Sequence, residues 1–108
     1  MPSQLEPLEG LQELQKQDTS AFGVDVANIA TSPTSPTLHQ VVDESDSSTD
    51  IKATVMPVGS ISVSGTVITF PAWDVLESYV GKMLRVEYSF LDNNSNRRAR
   101  HIRFKVRL

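Results

Sequence analysis

From Arg97 to Arg107 the sequence sets down six cations and a histidine, and no acid follows Asp92. A guanidinium grips a phosphate or a carboxylate through two parallel hydrogen bonds. Residues two apart on a strand share a face at a spacing of about 6.6 Å, so Arg103, Lys105 and Arg107 form a row able to hold carboxylates or to track a polyanion. The aromatic residues Tyr88, Phe90 and Phe104 alternate onto the opposite face, which leaves no platform for stacking bases among the arginines. The expected partners of the row are therefore carboxylates, from this chain's own acidic segment or from a neighbouring protein subunit. Nucleic acid is not an expected partner.

Other constellations carry less chemistry. His39 and His101 sit in no metal-ligand spacing, and each reads as a solvated histidine. The acidic cluster Asp43-Glu44-Ser45-Asp46, with Asp50, offers oxygen ligands but lacks the spacing and central glycine of a calcium loop. No serine lies in a nucleophile elbow and the five glycines form no phosphate-binding fingerprint. The absence of cysteine excludes disulfides, thiolate zinc sites and thiol nucleophiles. No catalytic residue, cofactor or metal site is expected.

The elements that must position the basic row follow from charge and periodicity. Residues 1–50 hold nine acids and one lysine, whereas residues 51–108 hold four acids and nine lysines or arginines. Such asymmetry draws the two segments together or toward outside partners. Leu5, Leu8, Leu11 and Leu14 recur at steps of three among glutamates, which predicts a short amphipathic helix over 5–17 with a leucine stripe for docking. From Asp18 to Asp50 a Ser/Thr/Pro-rich composition, with Ser-Pro-Thr repeated at 32–34 and 35–37, reads as an extended acidic arm. Phe22–Ile29 and Leu38–Val42 are apolar enough to pair as edge strands. No apolar run reaches the roughly 20 residues of a membrane span, and the N-terminus lacks the pattern of a classical signal peptide.

After Asp50 the pattern becomes that of a β-domain. Ile51, Ala53 and Val55 alternate with polar residues, and Ile61–Val63 and Val67–Phe70 flank a tight turn at Ser64-Gly65. Pro71 and Gly81 bracket a short helical link near 71–80. Two alternating runs, Leu84–Phe90 and Ile102–Leu108, flank the polar turn Asp92–Asn96 and predict an antiparallel hairpin with Val86, Tyr88, Phe104 and Val106 facing the core. Trp73, the single tryptophan, reads as a core plug.

The stretch from Thr69 to Phe90, with its Pro-containing segment, helical link, Gly81-Lys82 turn and strand, followed by the strand Ile102–Leu108, resembles the closing part of immunoglobulin-like repeats in large bacterial surface proteins. The resemblance implies a sandwich fold and an adhesin or carbohydrate-binding role. The upstream half departs from the pattern, because the Ser/Thr/Pro arm stands where further strands belong.

The reading as a whole is a mainly β protein: a small antiparallel sandwich-like or sheet domain with a short helical link at 51–108, preceded by the helix and arm of 1–50. Its expected function is structural or assembly work without catalysis, as a component of a phage particle, secretion machine or surface layer. Leu5, Leu8, Leu11, Leu14, Arg103, Lys105 and Arg107 would contact protein subunits, in a homo-oligomer or larger assembly and without membrane insertion. The alternatives are a polyanion-binding or regulatory module using the basic strand, and an immunoglobulin-like adhesin.

Overall fold

The computed structural model describes residues 12–15, 19–45, 49–74 and 76–107. Along the chain run β1 (Gln12–Gln15), β2 (Gly23–Asp25), β3 (Thr34–Asp43), a single helical turn α1 (Lys52–Val55), β4 (Ser62–Ser64), β5 (Val67–Thr69), a 3₁₀ turn (Leu76–Tyr79), β6 (Met83–Leu91) and β7 (Arg97–Arg107). One sheet has the order β1-β7-β6-β3 and the other β2-β5-β4. Both are antiparallel apart from the β1–β7 pair, which is parallel. The protein is mainly β, as the alternating runs predict.

The β6–β7 hairpin forms where the sequence places it, with Val86 opposite Ile102 and Leu84 opposite Phe104. Leu84, Val86, Tyr88, Phe90, Ile102, Phe104 and Val106 are buried on its inner face, so the predicted parity holds. The β4–β5 hairpin turns one residue later than expected, through Gly65 and Thr66. Gly65 takes φ +62° while Thr66 does not enter positive φ, the pattern of a type II′ turn that only glycine fills without strain at its first position.

Between the sheets lies an aromatic stack that the link after β5 completes. Phe22 lies flat on Phe70 at 4.5 Å, Trp73 follows at 5.7 Å from Phe22, and Phe104 meets Trp73 edge-on at 5.1 Å. Trp73 is 2% exposed and is therefore a core residue, as its position in the link predicts. Tyr88 packs edge-on against Phe70 at 5.0 Å, and burial pushes its phenol up to about 12.

Other expectations change. The described part of residues 19–45 is structural: Val24, Val26, Ala30 and Val41 are buried in the same core as β6 and β7. An arm ending at residue 50 beside a separate domain at 51–108 does not describe this packing, because β2 and β3 pair directly with β5 and β6. The second Ser-Pro-Thr repeat enters β3 rather than a linker, and is tolerated because β3 ends its sheet and shifts register between Thr34 and Thr37. Lys52–Val55 makes a helical turn instead of a strand. The Asp50 carboxylate accepts the Lys52 amide at 2.9 Å and the Ile51 carbonyl accepts those of Thr54 and Val55, so local hydrogen bonding outweighs a five-residue alternation.

Of the amphipathic helix predicted over 5–17, residues 12–15 instead form β1, paired with Phe104–Arg107. The remainder, with Leu5, Leu8 and Leu11, lies outside the described residues.

Candidate functional site

The outer face of the β3-β6-β7 sheet collects the charged side chains. Register sets Gln40 beside Glu87 and Glu87 opposite His101, and in the next row Arg85 opposite Arg103. Two guanidiniums directly opposite repel, and two glutamates separate them. Glu44, in the turn after β3, accepts Arg103 Nε and Nη2 at 2.9 Å each, and lies 3.8 Å from Arg85 Nη1. Glu87 accepts Arg85 Nε at 2.8 Å and Gln40 Nε2 at 2.9 Å. Lys82 reaches Asp43 at 3.8 Å and extends the network along the edge of the turn.

The network keeps its acids ionised. The hydrogen bond from Arg103 holds the Glu44 carboxyl below its ordinary range, against a smaller opposing effect of burial. Burial raises the Glu87 carboxyl, but hydrogen bonds from Gln40 and Arg85, with the Arg85 charge beside it, lead the effects that bring it below its ordinary range. Because the folded form of Glu44 has the depressed value, its contribution is present above the ordinary glutamate range and lost as pH falls through the folded value. Glu44→Gln is therefore expected to lower the urea midpoint at neutral pH, with the gap to the parent closing on acidification. Urea titrations at a series of pH values check this, and a gap independent of pH would mean that shape rather than charge matters.

The residues singled out in the basic row separate on inspection. Arg103 has the bidentate carboxylate contact, with an acid of the expected cluster in the same chain. Lys105 Nζ instead donates to the Gly81 carbonyl at 3.0 Å, and Arg107 stands opposite Gln15 at the end of β7. Leu14 stands opposite Val106 in the β1 register, so it and the basic row meet on one edge. Two further acids of that segment serve the fold: Asp43 accepts the Ser45 amide and hydroxyl at 3.0 and 2.8 Å, and Asp50 accepts the Val41 and Lys52 amides.

Sequence spacing gives no hint that the two histidines share a place. His39, the residue at the second register shift in β3, and His101 of β7 line one open hollow of about 230 Å³ with Glu87, Tyr88, Ala99 and Arg100. His39 Nε2 and Ser89 Oγ share a 2.7 Å hydrogen bond, and Arg97 Nη1 donates to the same oxygen at 2.9 Å. Ser89 is 0% exposed, so this pair braces the sheet and does not present a nucleophile. The small Ala99 side chain, facing Ser89 across the hairpin, leaves the hollow open.

Comparison with protein-family models, with curated proteins and with solved structures gives no match. Among the described residues no helix is long and apolar enough to cross a membrane.

Proposed function

We propose that this protein is a structural or assembly module without catalytic activity, built as an immunoglobulin-like sandwich that offers its β7 side to other subunits. The observation that carries the reading is the strand order. With β2, β3, β4, β5, β6 and β7 taken as successive strands B to G, the sheets become B-E-D and C-F-G, the constant-type immunoglobulin arrangement without its first strand in the B-E-D sheet. The 3₁₀ link between β5 and β6 falls where the E–F crossing of such a domain lies. This supports the resemblance carried by residues 69–90 and the strand after them.

The charged face supports a surface role in a second way. Arg103 of the row is held by Glu44 of the same chain at 2.9 Å, which weakens the row as a tracker of polyanions. Size-exclusion chromatography with light scattering on the full chain tests the proposal. The expected mass exceeds that of the monomer at micromolar concentration, and a monomer throughout would overturn the assembly reading.

A further inference from the structure

β3 stands at the end of its sheet, and its outer edge is occupied. Gln40–Asp43 pair residue by residue with β6, so alternate backbone groups point away from it. Those of Val41 do: the Asp50 carboxylate accepts the Val41 amide at 3.1 Å, and the Val41 carbonyl accepts the Ile51 amide at 2.7 Å. These are the two bonds that a neighbouring strand makes at such a position, supplied here by a side chain and the start of a helical turn. Just upstream, the register shift between Leu38 and Gln40 aims two successive carbonyls the same way. Lys52 Nζ donates to both, to that of Leu38 at 3.3 Å and that of His39 at 3.0 Å. The turn is fastened from beneath, since Val55 and Met56 are buried and the Val55 carbonyl accepts the Asp74 amide at 2.8 Å. Its grip on β3 lies at the surface, where the Lys52 and Asp50 side chains are 41% and 37% exposed.

We infer that residues 50–52 are a cover on the β3 edge, and that the strand they hold off is β3 of a second copy of this chain. A bulge, a lysine and a covering loop each keep a sheet edge from pairing with another chain, and all three meet at Leu38, His39 and Val41. β3 is suited to a copy of itself. From Thr34 to Asp43 it carries one acid and no lysine or arginine, so no row of like charges keeps two copies apart. Antiparallel pairing about a two-fold axis at Val41 exchanges both Val41 bonds between the copies and sets His39 of each opposite Asp43 of the other. Val41 and Val42 keep their side chains in their own core, so the contact adds backbone bonds without opening it. This margin of the sheet lies across β6 from β7, and the inference stands apart from the assembly reading.

Light scattering and amide hydrogen exchange on the full chain carrying Asp50→Ala and Lys52→Met test the inference. The two changes remove the acceptor of the Val41 amide and the donor to the Leu38 and His39 carbonyls. At equal micromolar concentration the variant should show twice the parent's mass, whatever the parent's own state, and an unchanged mass overturns the inference. In dilute solution the Val41 amide should exchange at least about tenfold faster than in the parent, and it should slow again as rising concentration brings up the second copy. Exchange that ignores concentration overturns the pairing at Val41. A synthetic peptide of residues 38–44 should bind the variant at least about tenfold more tightly than it binds the parent, and the same peptide N-methylated at Val41 should bind neither. Equal binding of the two peptides reduces the contact to surface stickiness and sinks the proposal. Should the double variant fail to fold, Lys52→Met alone keeps the Asp50 and Ile51 bonds and makes the same test, and a Lys52→Met chain that ignores the peptide overturns the inference. A monomeric parent sinks the assembly reading alone, and a variant no heavier than an oligomeric parent sinks this inference alone.

Discussion

Residues 51–108 produced alone should give the far-UV circular dichroism of an unfolded chain and no cooperative urea transition. The cut removes β2 and β3, and with them the buried Val24, Val26, Val41 and Val42. Burying one such side chain is worth about 1.5–3 kcal/mol, so four of them approach the roughly 5–15 kcal/mol that separates a whole domain from its unfolded state. The loss of β3 also strips one edge of β6, beside the buried Val86 and Tyr88. A fragment that still melts cooperatively would show that the two segments fold independently, and would restore the division at residue 50.

The second large effect is expected at Trp73. Replacement by alanine leaves Phe22 and Phe104 facing a void, since both rings pack on the indole within 6 Å. Large-to-small changes of a buried tryptophan cost about 3–5 kcal/mol, which for a chain of this size lowers the melting midpoint by roughly 15 °C or more. Trp73→Phe should cost much less, because it keeps a ring in the stack and removes an indole N–H that finds no acceptor among the described residues. Thermal melts followed by circular dichroism separate the two variants. A Trp73→Ala protein that melts like the parent would mean that the indole is no part of the core.

The β6–β7 hairpin was legible because apolar and polar residues alternate over Leu84–Phe90 and again from Ile102 onward, long enough to fix which parity is buried. Shorter signals were ambiguous for physical reasons. Five alternating residues at 51–55 fit a strand or one helical turn, and the Asp50 side chain decides for the turn. Leu14 belongs to a pattern spaced for a helix, yet residues 12–15 take up the open hydrogen-bonding groups of β7, a tertiary effect that no local period encodes. Charge asymmetry indicated that Arg103 would meet an acid. It could not single out Glu44, 59 residues away, because that choice depends on how Gln40–Asp43 registers against the non-adjacent strand β6. The meeting of His39 with Ser89 falls at the register shift between Leu38 and Gln40 and left no sequence signal.

The parallel β1–β7 pair has a mechanical consequence. Gln12 lies opposite Phe104 and Gln15 opposite Arg107, so the two strands run in the same direction along one edge. Tension drawn through the chain pulls β1 toward its start and β7 toward its end, in opposite senses along a shared ladder. The bonds of that ladder are then loaded together in shear and cannot peel off one after another. A module joined in this way holds its length under a steady pull until the whole patch slips at once, and its working life under load follows the rate of that single event.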